Sequence, residues 1–288
     1  MERVKRLVQA ESVYRQGYSG KNVRIAVLDT GVFLHRDIRG NIAYFKDFAG
    51  NRRHSYDDNG HGTHVAGIIC GNGRLKGMAP GAQLVVLKVL EKDGGGNTDR
   101  VLQGLEWVLK NRERYEIRIL NFSIGFLPGA RGEEQRQIID LLEQLWDENV
   151  AVVTAAGNNG PRQGSITVPG ISRKVITVGA SDDMTANLPL PKSYSGQGPT
   201  ECCVVKPEIL APGTNITSLD FRGHHYVKKS GTSMAAPVVS GALALALQKN
   251  PSLRPEELKV KLYESADGQR KGKSAWGILR VDKLLDLI

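Results

Sequence analysis

Short, almost uninterrupted apolar runs recur along this chain, each separated from the next by enough residues for a helix or a long turn. Residues 23–28 form a β-rich run that ends at Asp29, and residues 84–90, 117–124, 150–155, 175–178 and the brief Ile209-Leu210 repeat the pattern. Strands buried on both faces of a parallel sheet need this continuity, whereas strands with one wet face alternate. Between and after the runs lie helical patterns at residues 98–110, 133–149, 233–249 and 255–266. Strand and helix in alternation specify an α/β fold with a parallel sheet. Residues 242–247 alternate Ala and Leu and by period alone could be a strand; the length of the flanking segment and the absence of β-branched residues favour a buried helix.

At 288 residues with 40% hydrophobic content the chain can bury one large core. No internal repeat or low-complexity linker divides it. Asn187-Leu188-Pro189-Leu190-Pro191 and Gly196-Gln197-Gly198-Pro199 are loop signals inside one domain, 1–288. No run of eighteen apolar residues is present, so no membrane span or membrane partner is expected. The first ten residues carry charge with no apolar stretch after them, which does not read as a secretory leader. Three cysteines, Cys70 and the vicinal Cys202 and Cys203, do not read as a disulfide framework and suit reduced thiols in the cytoplasm. The net charge of +9 could serve nucleic acid, but Arg52, Arg53, Lys228, Lys229, Arg270, Lys271 and Lys273 are scattered without interleaved aromatics. A solvated basic surface, with no nucleic-acid partner, is the expectation.

The chemistry concentrates at the ends of these elements. In Gly231-Thr232-Ser233-Met234-Ala235-Ala236-Pro237 a serine opens an apolar helix, where unpaired backbone N–H groups favour developing negative charge. Asp29 closes the first strand, His61 opens a small-residue helix in Asp57-Asp58-Asn59-Gly60-His61-Gly62-Thr63-His64, and Asn158 follows another strand end. Singly, each has an ordinary reading as a cap or a turn residue. Together they suit acyl transfer: serine is a weak nucleophile that needs a base, histidine is a base near neutral pH, and a buried carboxylate holds the imidazole in its useful tautomer. An amide side chain and a backbone N–H can then receive the oxyanion.

Asp29-Thr30-Gly31, His61-Gly62-Thr63-His64-Val65-Ala66-Gly67 and Gly231 to Pro237 resemble, in order, the three signatures of subtilisin-like serine proteases. The resemblance spans nearly the whole chain. It implies a three-layer α/β fold, subtilisin-like, with a mostly parallel central sheet flanked by helices. By the same resemblance Asp29 orients, His61 is the base, Ser233 attacks and Asn158 donates to the oxyanion, while His64 is a packed, hydrogen-bonded residue. Gly94, Gly95 and Gly96 after Asp93, with Ser123, Ile124 and Gly125, match the two family segments that pair with an extended peptide. Thr167-Val168-Pro169-Gly170 resembles the floor of the pocket for the residue before the scissile bond. Phe126-Leu127-Pro128 is bulkier than in many relatives, and no acidic cluster follows Ser123-Ile124-Gly125. An apolar or small residue is expected in that pocket rather than a dibasic site.

Several departures bear on control. Residues 1–20 read as a short N-terminal extension with no long pro-domain, which favours an intracellular enzyme of the bacterial type. Residues 1–10 could act as an inhibitory partner, or simply form a surface helix. Residues 70–77 look shorter than the calcium-binding loop of secreted relatives. Asp47, Asp57 and Asp58 leave a calcium site conceivable without a clear ligand set, so no cofactor or metal is expected to be required. Ala236 and Val238 replace the serine and histidine common around Pro237, a change of packing behind the nucleophile. The expected activity is a cytoplasmic serine endopeptidase acting on extended or unfolded peptide or protein substrates. A dedicated processing protease for one peptide or zymogen, and a pseudoprotease that binds peptides without cutting them, are the alternatives.

Overall fold

The computed structural model describes residues 1–50, 52–126, 132–184, 193–201, 203–268 and 275–288. Leu127, Pro128, residues 187–191, Cys202, Arg270, Lys271 and Lys273, singled out above, lie outside them. Among the described residues ten strands are formed: β1 (Arg24–Asp29), β2 (Ile42–Asp47), β3 (Gln83–Lys88), β4 (Ile117–Phe122), β5 (Ala151–Ala155), β6 (Ile176–Ala180), β7 (Ile209–Ala211), β8 (Ile216–Leu219), β9 (Tyr226–Lys229) and β10 (Gly277–Ile278). The helices are α1 (Glu2–Leu7), α2 (Glu11–Arg15), α3 (His61–Cys70), α4 (Thr98–Asn111), α5 (Gly132–Asp147), α6 (Thr232–Lys249), α7 (Pro255–Ser265) and α8 (Val281–Asp286).

Eight strands make one sheet in the order β10-β7-β6-β5-β4-β1-β3-β2, and every neighbouring pair is parallel. The six apolar runs are β1 and β3 to β7. β2 went unread because it is an edge strand: Ala43 is exposed and Tyr44 to Lys46 are only half buried. The antiparallel pair β8 and β9 is short and carries Thr217, Ser218, Lys228 and Lys229. β10 has only two residues and no pattern to detect.

Successive side chains of a strand face opposite ways. In β1, Leu28 abuts Gly104 of α4, whereas Asp29 abuts Gly62 of α3. Helices α3 and α4 therefore cover opposite faces, with α6 packed beside α3 across the middle strands and α5 beside α4. Helix α6 is the buried helix expected from residues 242–247, with Leu243, Leu245 and Leu247 at most 1% exposed. Full burial of such a side chain contributes roughly 1.5–3 kcal/mol, which overrides any strand-like alternation. Residues 1–20 join the same core: Val4, Val8, Ala10 and Val13 are all at most 2% exposed. No helix among the described residues is long and apolar enough to cross a membrane.

The winding reverses at β1, which has β3 on one side and β4 on the other. In open parallel sheets, functional groups gather outside the carboxyl ends of the strands at such a reversal. Asp29 is the last residue of β1.

Candidate active site

Asp29 is fully buried, and its Oδ1 accepts a 2.7 Å hydrogen bond from the Thr30 N–H. Both its oxygens lie close to His61 Nδ1, at 2.8 and 2.9 Å. The contact depends on α3 starting hard against the end of β1. A Cβ on Gly62 would come 2.2 Å from the Gly31 carbonyl oxygen, so no larger residue fits there. The junction is locked by Asp57, whose Oδ1 accepts from Thr30 Oγ1 and the Asn59 and Gly60 N–H groups, while its Oδ2 accepts from the Thr63 N–H and Oγ1. Thr30 Oγ1 also accepts from the Gly62 N–H. A carboxylate at the first turn of α3 meets both the free N–H groups and the positive end of the helix dipole.

The His61 side chain is 27% exposed, reaching Asp29 with one nitrogen and leaving the other available to a reactant. Burial opposes its protonation, but the charge and hydrogen bond of Asp29 outweigh burial and the nearby Lys229, with a small upward push from Asp57. The net pKa lies above the ordinary histidine value. His64, one helical turn on, behaves in the opposite way. It is fully buried, with Nε2 within 3.0 and 3.2 Å of the Ile216 and Val227 carbonyl oxygens. Burial, then the charges of Lys229 and His61, push its pKa down to about 3. His64 is thus a neutral tie between α3 and the β8–β9 pair.

Ser233 lies in the first turn of α6, after Gly231 at φ +147°. Asn158 meets this turn from the loop after β5. Its Oδ1 accepts from the Thr232 N–H at 2.9 Å and Thr232 Oγ1 at 3.1 Å, and Thr232 Oγ1 in turn accepts from the Gly157 N–H. With the carbonyl end held by Thr232, the amide NH2 is the end turned to Gly231, where an added Cβ would come 3.2 Å from Nδ2. Among the described residues no group accepts from the Ser233 N–H, as expected for a helix N-terminus. Pro237 has no N–H, so the Ser233 carbonyl lacks its usual helical donor. The Ser233 hydroxyl donates to the Ser123 carbonyl at 3.3 Å, not to His61. Without substrate, contacts between nucleophile and base are commonly loose and tighten on binding.

Of the segments expected to hold a peptide, residues 123–125 meet this turn through Ser123 O, and residues 91–95 meet the loop before His61 through Asn59 Nδ2, which donates to Lys92 O. In residues 91–95 the Glu91 N–H donates to Gly95 O, the Gly94 N–H to Glu91 O and the Gly95 N–H to Asp93 Oδ1. These bonds leave Gly94 O and the Gly96 N–H outside the loop's own network. Ser123 is held by Asn121 Nδ2, which donates to its hydroxyl, and Asn121 Oδ1 accepts from Ser240 of α6. Ile124 is 8% exposed and Gly125 is exposed. Phe126 pairs with Val168 in both directions, at 2.9 and 3.0 Å. Thr167 sits between two glycines: a Cβ on Gly125 would meet its Oγ1 at 2.6 Å, and one on Gly157 its Cγ2 at 2.5 Å. The Thr167 side chain therefore fills the gap between the two chain segments.

The carboxylates considered for calcium do not fit such a site, because protein donors already engage them. Asp47 accepts from the Ala49, Gly50 and Arg52 N–H groups and from the Tyr56 hydroxyl, and Asp58 accepts from Lys88. The short turn at residues 70–77 is pinned by Asp37, which accepts from the Leu75 N–H and the Tyr226 hydroxyl. Among the described residues no group of three His, Cys, Asp or Glu side chains is placed to hold a metal ion.

Asp29, His61, Ser233 and Asn158 thus all occupy strand ends or helix starts on one side of the sheet. Sequence reasoning assigned no part to Thr30 or Thr232, and took Asp57 only as a conceivable calcium ligand. Thr30 and Thr232 adjoin Asp29 and Ser233, so adjacency was the available signal. Asp57 carried none that would separate it from Asp58.

The sequence profile described as the Subtilase family matches residues 20–277. Serine protease AprX of Bacillus subtilis (strain 168) is 39% identical over 285 residues, covering 90% of this chain; the chain spans 64% of AprX's length. Two solved structures superpose closely. The cold adapted subtilisin-like serine proteinase has a TM-score of 0.74 at 31% identity, covering 92% of this chain and 90% of its own. Sphericase has a TM-score of 0.79 at 30% identity, covering 91% and 92%.

Proposed function

This chain belongs to the subtilase family, and from that premise we propose that it is a serine endopeptidase acting through Ser233, His61 and Asp29. The Ser233 hydroxyl attacks the peptide carbonyl while His61 Nε2 takes its proton. Negative charge passes to the carbonyl oxygen, which receives hydrogen bonds from Asn158 Nδ2 and the Ser233 N–H. His61 returns the proton to the leaving amine as the C–N bond breaks, and water then hydrolyses the acyl-enzyme by the same route. The observation that carries this reading is the Asn158 amide. The Thr232 N–H and hydroxyl take up its carbonyl oxygen, which leaves the NH2, beside Gly231, as the end that can donate to a substrate oxygen. A site built only to bind peptides has no need of that arrangement. Replacing Asn158 by leucine is expected to lower kcat by about 10²–10³-fold with KM within a few-fold, the magnitude being that measured for the corresponding amide in subtilisin. Steady-state kinetics on a peptide anilide check it, and a loss confined to KM would count against the oxyanion role.

The substrates proposed are extended or unfolded polypeptide segments, supported by Gly94 O and the Gly96 N–H, which have no backbone partner among the described residues and are open to strand pairing. Thr167, filling the gap between Gly125 and Gly157, supports a small or apolar residue before the scissile bond. A cytoplasmic setting is supported by Cys70 and Cys203 being free thiols. An internally quenched peptide library, run beside fluorophosphonate labelling of the serine, tests the activity. Labelled enzyme that cuts after small or apolar residues is the expected result. A profile dominated by Arg or Lys would remove the pocket assignment, and unlabelled, folded protein would remove the nucleophile.

A further inference from the structure

A lysine ends the buried strand next to the one that carries Asp29, where apolar burial gives no reason for a charge. Lys88, the last residue of β3, is 1% exposed. Its three ammonium hydrogens meet three acceptors: Thr30 O at 2.7 Å, Leu90 O at 2.8 Å and Asp58 Oδ1 at 2.7 Å. Its Nζ also lies 5.0 Å from the centre of the Tyr56 ring. In the sheet Lys88 is the register partner of Asp29 on one side and of Asp47 on the other. Its removal would strand two buried carbonyl oxygens and one carboxylate.

The acceptors belong to different working parts. Thr30 follows Asp29, Asp58 stands in the loop that leads to His61, and Leu90 begins the segment that continues to Gly94, Gly95 and Gly96. The Val89 and Leu90 N–H groups also donate to Asp29 O, at 3.0 and 3.3 Å, so the start of the groove segment is already laid on the end of β1. Among the described residues the Lys88 ammonium adds a link that reaches all three parts at once. Charge-assisted hydrogen bonds from a buried ammonium are short and roughly twice as strong as neutral ones, which makes such a node stiff.

We propose that Lys88 is a positioning residue that holds the groove wall at residues 94–96 in register with the Asp29–His61 pair. The proposal rests on the reading of those residues as groove and catalytic machinery. Its consequence is specific. Contacts made by substrate residues remote from the scissile bond raise the rate only if they are held in fixed geometry to the reacting groups. Lys88 supplies that fixity, so it matters more as the substrate grows longer.

The test compares a tetrapeptide anilide having alanine before the scissile bond with a single-residue alanine ester, on the wild type and on Lys88→Met. The tetrapeptide is expected to lose about 10–100-fold in kcat/KM, mainly through kcat, with the ester losing at least tenfold less. Asp58→Asn, altering a partner whose side chain is 42% exposed, keeps both carbonyl bonds of Lys88. It should show the same ordering with a smaller tetrapeptide loss, about 3–10-fold, and it carries the test if Lys88→Met does not fold. Equal losses on both substrates would overturn the proposal, since Lys88 would then support the catalytic pair alone. A fall in Tm with neither substrate affected would overturn it in favour of a purely structural lysine. A wild type that hydrolyses neither substrate would instead remove the peptidase reading itself, and the proposal with it.

Discussion

Replacing Ser233 by alanine is expected to lower kcat on a tetrapeptide anilide by on the order of 10⁶-fold, with KM nearly unchanged, and to abolish fluorophosphonate labelling. That magnitude is the one measured for the subtilisin triad. The physical reason is that alanine removes the atom that forms the covalent bond while leaving groove and oxyanion donors in place. A residual rate of about 10³–10⁴ over water is then expected from binding and the oxyanion donors alone. Loss of fold cannot be confused with loss of chemistry, because among the described residues the Ser233 hydroxyl makes one long bond, to Ser123 O at 3.3 Å. The variant's Tm should stay within a few degrees of the parent's. Retained labelling, or a rate within tenfold of the wild type, would place the nucleophile elsewhere.

Asp29→Asn is expected to lower kcat by about 10⁴-fold while preserving shape. An asparagine can turn its NH2 toward His61 Nδ1, which puts the imidazole proton on Nε2, the atom that must accept from serine. The pH dependence changes as well, and its sign follows from the groups around His61. In the wild type, burial disfavours the imidazolium, but Asp29, aided slightly by Asp57, outweighs burial and Lys229. His64 on the same helix is neutral and adds no charge above about pH 3. The base works only when unprotonated, so wild-type kcat/KM rises with pH through the raised His61 pKa and is lost below it. Without the Asp29 charge, burial and Lys229 remain and the pKa falls. The acid limb of the much reduced activity must therefore move to lower pH. Measured kcat/KM profiles decide this, and a limb that moves to higher pH would reject Asp29 as the residue that charges the base.

Much of the fold was legible because a doubly covered parallel strand has to be apolar throughout. β1 and β3 to β7 met that condition, and β2 did not because its edge position leaves Ala43 exposed and Lys46 half exposed. The β8–β9 pair stayed hidden for a related reason. It is short and polar, and what secures it is His64, a buried residue of a distant helix, reaching Ile216 O and Val227 O. The candidate site was legible where the proposed chemistry asks for one residue type at an element's end, as with Asp29, His61, Asn158 and Ser233. It was not legible where a side chain acts through others. Asp57 was set beside Asp47 and Asp58 as a calcium candidate, and only the fold separates them: Asp57 caps α3, Asp47 closes its own turn, and Asp58 takes Lys88.

By itself the sequence determined the layers and the family signatures, and it singled out four side chains as candidates for the site, because those depend on local pattern and on residue type. Tertiary structure alone decided the pairings. Asp29 and His61 are 32 positions apart, Asn158 and Thr232 are 74, and Lys88 reaches Asp58 across 30. A hydrogen bond needs donor and acceptor within about 3 Å, and no local pattern states which distant groups a parallel sheet brings together at its carboxyl edge. The candidate side chains were therefore readable in advance, whereas the groups that hold them became identifiable only once the strands were in place.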